Sequence, residues 1–110
     1  MNSTERIRQL KRILNEHPRD TLALYALAME YQARRRFEPA LELFDRLLKI
    51  DPDYVPAYHR KALVLIAQDR PDQALAALKA GVPRAVETGQ FHARDQMREL
   101  EEQLRARKTS

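Results

Sequence analysis

Side chains suited to chemistry are sparse in this chain of 110 residues, which has three histidines, His17, His59 and His92, and no cysteine. No two histidines stand four apart, the spacing that places two imidazole ligands on one helical face, so no metal is expected. Stacking of neighbouring helices would bring His59 towards His92, but no carboxylate pattern surrounds them, and the bland reading as surface histidines is preferred. The lack of cysteine rules out a disulfide framework, zinc–thiolate and iron–sulfur sites and a thiol nucleophile, and fits a reducing compartment. No glycine-rich phosphate loop, no G-x-S-x-G nucleophile turn and no paired inward acids on facing strands occur. The chain is therefore expected to be no enzyme and to carry no cofactor.

What remains is charge. Lysine and arginine number 20 against 16 acids, a net charge of +4, and 15 of the basic residues are arginine. One reading is a basic module that touches nucleic acid or another acidic surface through Arg6, Arg8, Lys11, Arg12 and the run Arg34-Arg35-Arg36. The reading preferred here is ordinary solvated helix faces, because acids are interleaved with the bases throughout. The start of the chain has no apolar targeting segment, and no stretch approaches the roughly 20 apolar residues of a membrane span. A soluble cytoplasmic protein is the expectation.

The elements that position these residues follow from composition and period. Only two glycines occur, whereas alanine, leucine, glutamate, glutamine and arginine abound, which favours an all-α fold. A shift of 34 residues carries Pro18 onto Pro52, Leu24 onto Tyr58, Ala28 onto Ala62, Tyr31 onto Leu65, Ala40 onto Ala74, Leu41 onto Leu75 and Phe44 onto Leu78. Leu24, Leu27, Ala28 and Tyr31 make one helical stripe, and Phe37, Ala40, Leu41, Phe44, Leu47 and Leu48 another, so each unit is a helical hairpin. Asp20 and Asp53 are candidate helix caps, and Arg34 to Arg36 is a turn.

The same shift lays Ile7, Leu10, Ile13 and Leu14 on Leu41, Phe44, Leu47 and Leu48, so the N-terminal helix is the second half of a truncated repeat. Phe91, Ala93, Met97, Leu100 and Leu104 mark a C-terminal capping helix whose other surface, with Glu99, Glu101 and Glu102, is solvated. The expected layout is a single domain over residues 1–110, with about six helices: an N-terminal helix at 3–17, repeats at 21–52 and 55–88, and a cap at 90–107. The apolar face of the last helix arrives one residue late, which places an insertion near Gly81-Val82-Pro83. Either the helix beginning near Pro71 runs on with a kink at Pro83, the reading preferred because Arg84-Ala85-Val86 continue the apolar phase of Ala74, Leu78 and Val82, or it ends at Gly81.

These residues resemble the tetratricopeptide repeat, W-x2-L-G-x2-Y followed by A-x3-F and a closing proline. The first unit reads Leu24-x2-Leu27-Ala28-x2-Tyr31, Ala40-x3-Phe44 and Pro52. The second reads Tyr58-x2-Lys61-Ala62-x2-Leu65 and Ala74-x3-Leu78, departing from the pattern at Lys61 and at Val86, where the closing proline would stand. With the partial units at either end, the resemblance covers nearly the whole chain and implies a small repeat-only protein. It implies stacked antiparallel hairpins in a right-handed superhelix whose concave face, lined by the first helix of each hairpin, holds a peptide or partner helix. The implied role is an adaptor or scaffold for protein binding, with no client named.

If the core stripe is as assigned, the neighbouring stripe looks into that groove: Leu22, Tyr25, Met29 and Gln32, then Pro56, His59, Leu63 and Ile66, then Arg94 and Arg98. Tyrosine and methionine suit an apolar side chain, and arginines a carboxylate, so the expected partner is an acidic-hydrophobic peptide or a chain terminus. Some family members grip acidic chain ends through lysine and asparagine on these helices. Here only Arg60 and Arg94 stand where such a basic residue would sit, so that mode is not expected. A competing reading buries the Tyr25 and Met29 surface against the N-terminal helix or against a second copy in a homodimer.

Overall fold

The computed structural model describes residues 2–109, and these form six helices and no strand: α1 (Ser3–Glu16), α2 (Thr21–Ala33), α3 (Phe37–Ile50), α4 (Val55–Ala67), α5 (Pro71–Glu87) and α6 (Phe91–Thr109). They fall into two compact units, one of α1 to α3 ending at Pro52 and one of α4 to α6 starting at Asp53. No helix among the described residues is long and apolar enough to cross a membrane.

In the first unit α2 packs against both α1 and α3. The Asn2 side chain caps α1 by accepting from the Glu5 N–H at 2.9 Å, and Asp20 caps α2 by accepting from the Ala23 N–H at 3.0 Å, each satisfying a donor that the helix itself cannot. The buried side chains keep helical spacing: Ile7 and Leu14 on α1, Leu24, Leu27, Ala28 and Tyr31 on α2, and Ala40, Leu41, Phe44 and Leu47 on α3. The alanines at 28 and 40 are fully buried, which allows helices to approach closely.

The reversals after α2, α4 and α5 share one device. After α2 the N–H of Arg36 reaches the carbonyl of Tyr31 at 2.9 Å and that of Arg35 reaches Gln32 at 3.0 Å, with Arg35 held at φ 58°. After α4 the pattern repeats 34 residues on, Arg70 to Leu65 and Asp69 to Ile66, both at 2.9 Å, with Asp69 at φ 57°. After α5 it appears again as Gln90 to Ala85 at 2.8 Å and Gly89 to Val86 at 3.2 Å, with Gly89 at φ 73°. A left-handed residue thus satisfies the last carbonyls of α2, α4 and α5 and turns the chain.

Four sequence expectations are corrected. Asp53 does not cap α4: the 34-residue shift sets Asp20 on Tyr54, the residue preceding the helix, and Asp53 instead accepts from Arg84 of α5 at 3.2 Å. The reading in which a helix ends at Gly81 fails, since α5 runs unbroken through Pro83 to Glu87. Its buried phase is Ala74, Ala77, Leu78, Gly81 and Ala85, which leaves Val86 exposed. Glu101 is not solvated but buried, on the stripe of Met97 and Leu104, with its carboxylate held by Arg105 one turn on at 3.2 Å.

At Gly81, α5 comes close to its neighbours. A Cβ there would lie 2.6 Å from Tyr58 Cβ on α4 and 2.9 Å from Met97 Sδ on α6, so the absence of a side chain is what lets the three helices meet. Two substitutions should move stability in opposite directions. Gly81→Ala gains helix propensity but forces the Tyr58 side chain aside at its Cβ, and should destabilise the fold by about 1–3 kcal/mol. Arg35→Gly removes the strain of a side chain in the left-handed region and should stabilise it by about 1 kcal/mol. Urea unfolding of both variants checks the two signs.

Candidate functional site

The stripe expected to face a partner divides once its surroundings are considered. On α2, Leu22 is the most exposed large apolar residue, at 70%, and it leans towards α1. There it lines a depression of about 270 Å³ with Leu10, Ile13, Asp20, Ala23 and Ala26. Tyr25 leans the other way, its ring edge-on to Phe44 of α3 at 6.1 Å between centroids and 61° between planes, the arrangement aromatic quadrupoles favour. Tyr25, Met29 and Gln32 are all half-buried. The Gln32 Oε1 is buried and accepts no hydrogen bond among the described residues, an unmet acceptor at the end of this face.

Glu30 fastens the edge of α2 to α1. Its two carboxylate oxygens accept from Arg6 at 2.5 Å and from Ser3 at 2.8 Å, while Arg34 donates to Thr4 at 3.1 Å. The Arg6 hydrogen bond, then that of Ser3, hold the Glu30 carboxyl below its ordinary value of 4.5.

In the second unit, His59, Arg60, Leu63 and Ile66 on α4 are half-buried and Pro56 is exposed. Burial, with the neighbouring Arg60 charge second, holds the His59 imidazole below its ordinary value, so it is neutral at pH 7. Ile66 joins Asp69, Pro71, Leu104, Arg107 and Lys108 around a depression of about 190 Å³, at whose rim Lys108 pairs with Asp72. Arg94 is half-buried and Arg98 exposed on α6. The charge of Arg94 is answered locally, since its Nε donates to Asp95 at 2.8 Å and its guanidinium lies 4.9 Å from the Phe91 ring centroid. That hydrogen bond draws the Asp95 carboxyl below its ordinary value.

Most of the basic residues of the alternative reading are also engaged within the chain. Lys11 and Arg36 both lie over the Tyr31 ring, at 6.0 and 5.1 Å, and Arg35 lies 5.2 Å from the Phe37 centroid. Arg8 and Arg12 share one shallow depression with Glu5 and Gln9. Among the described residues no three histidine, aspartate or glutamate side chains are grouped so as to hold a metal ion.

Sequence reasoning missed the exposure of Ile13 and the half-burial of Leu10. Both fell on the expected core stripe of α1, yet only Ile7 and Leu14 are buried, and Ile13 is 38% exposed.

A tetratricopeptide repeat family model matches residues 7–63 and again 31–93. No curated protein is significantly similar in sequence. Among solved structures, a tetratricopeptide repeat domain protein from Salinibacter ruber is 30% identical, with 79% of this chain and 88% of that one covered and a TM-score of 0.74. The TPR2B domain of yeast Sti1, in complex with pHsp70, is 21% identical over 92% of this chain and 81% of its own, at a TM-score of 0.85. PcrH, in complex with the chaperone-binding region of PopD, is 14% identical over 93% and 77%, at a TM-score of 0.88.

Removing the Glu30 charge should weaken the α1–α2 contact in a pH-dependent way. A carboxyl held below its ordinary value stabilises the fold above about pH 4.5, and that stability is lost as pH falls through the lower folded value. Glu30→Gln should therefore cost about 1 kcal/mol at pH 7 and progressively less as the pH drops below 4.5, measured by urea unfolding across that range.

Proposed function

We propose that this chain, which belongs to the tetratricopeptide repeat family, is a protein-interaction module that binds a segment of another polypeptide on the half-exposed faces of its hairpins' first helices. The family membership, and relatives whose structures hold a bound polypeptide, Sti1 with pHsp70 and PcrH with a region of PopD, support this reading.

The observation that carries it is the α2 face. Tyr25, Met29 and Gln32 lie in one row at helical spacing, half-buried, with an aromatic ring steadied against Phe44, a pliable thioether and an unmet carbonyl acceptor. Such a row offers apolar contact to an incoming chain. In the second unit, taken by itself, the proposed recognition residues are His59, Arg60, Leu63 and Ile66 on α4 and Arg94 and Arg98 on α6. Arg98 is the more available cation, because Asp95 already accepts from Arg94. An apolar segment carrying one or two acids is the ligand that suits these side chains.

The reading as a nucleic-acid binder has weaker support, because Arg6, Arg34, Lys11, Arg35 and Arg36 each have an intramolecular partner that phosphate contacts would have to displace. Peptides selected from a random display library on the immobilised chain separate the two. Their affinity should fall at least about tenfold with Tyr25→Ala and Met29→Ala combined, and change little with salt. Affinity that falls linearly with log salt, and that is lost on replacing Arg34, Arg35 and Arg36 with alanine, would contradict the proposal.

A further inference from the structure

We infer that the face shared by α1 and α2, away from Tyr25 and Met29, is a self-association surface that pairs this chain with a second copy about a two-fold axis. Four large apolar residues are exposed among the described residues, Ile13, Leu22, Val86 and Phe91, and the two in the first unit line the same depression. The depression is almost wholly apolar, floored by Leu10, Ile13, Ala23 and Ala26, and Leu22 projects beside it at 70% exposure. A projecting leucine next to a hole of side-chain size is complementary to itself: in a two-fold pair the Leu22 of each copy enters the depression of the other.

The charges around the depression select the same partner. On α1 the face begins near Arg6 and Gln9, which are exposed, and ends near Glu16, with the Asp20 carboxylate at the rim. With the two-fold axis crossing α1, the two α1 helices run antiparallel. This sets the Arg6 guanidinium of each towards the Asp20 carboxylate of the other, and the neutral Gln9 amide towards Glu16. Arg6 keeps its bond to Glu30 in this arrangement, since its side chain is still 52% exposed. A face of two helices roughly 20 Å long lies at the small end of specific interfaces, so the dimer should dissociate in the micromolar range.

Light scattering on the full chain from about 1 μM to about 1 mM should show a monomer passing to a dimer. Leu22→Asp should weaken the dimer at least 100-fold, on the order expected for a buried carboxylate at the interface centre, with the helical circular dichroism unchanged because Leu22 is exposed. Because the chain has no cysteine, Ile13→Cys provides one thiol close to the proposed axis, and mild oxidation should convert it to a covalent dimer, whereas Lys79→Cys should not. A wild-type chain that remains monomeric throughout overturns the proposal and leaves this face to a foreign helix. A dimer that persists in Leu22→Asp but is broken by Met29→Asp overturns it as well, placing the contact on the neighbouring α2 face.

Discussion

Three reversals in this structure turn on a single residue held at positive φ, Arg35, Asp69 or Gly89, each the first of two consecutive residues whose N–H groups bond back into the last turn of the preceding helix. Closure after the carbonyls of Tyr31, Leu65 and Ala85 sets the angular phase at which the next helix starts, and every buried stripe depends on that phase. With the turn fixed, Ala28 and Ala40 can both be fully buried while Phe44 fills the space between larger neighbours. Only one of the three positions carries the residue best adapted to the conformation. Arg35 and Asp69 hold it because tertiary packing outweighs a local cost of about 1 kcal/mol each.

The candidate recognition faces follow from this arrangement. An α2 that buries Leu24, Leu27, Ala28 and Tyr31 between α1 and α3 has apolar residues left over, and these divide between two directions. Tyr25 turns towards Phe44 and, with Met29 and Gln32, forms the face proposed to receive a polypeptide. Leu22 turns towards Ile13 and Leu10 and forms the face inferred to receive a second copy. One helix apolar nearly all round thus accounts for the two surfaces at once, and the Glu30–Arg6 pair lies on the α1–α2 seam.

Much of this was legible in the residues because a period of 34 and a helical stripe are both carried by size and polarity. The hairpins, the turn at Arg34 to Arg36, the Asp20 cap and the buried set of α2 and α3 all follow from spacing alone. The discrepancies are single-residue matters of phase and partner. Asp53 resembled a cap but stands one residue out of register, Glu101 resembled a solvent residue but lies on the Met97–Leu104 stripe, and Val86 resembled core but falls off the phase that Gly81 and Ala85 define. The close contact of Gly81 with Tyr58 and Met97 could not be read from sequence, because it joins residues 23 and 16 positions away on two other helices. Nor could the pairing of Arg94 with Asp95, which answers locally a charge expected to face a partner.

The central claim is that recognition resides on the half-exposed faces of the first helices and not on the basic start of the chain. Amide chemical shifts of the labelled chain, followed during titration with a short peptide of apolar residues and one or two acids, test it most directly. The account predicts changes concentrated around Tyr25, Met29 and Gln32 on α2 and around His59 and Leu63 on α4, retained at high salt. Changes confined to Arg8, Lys11 and Arg12 and to the Arg34 to Arg36 turn, and lost as salt is raised, would contradict it.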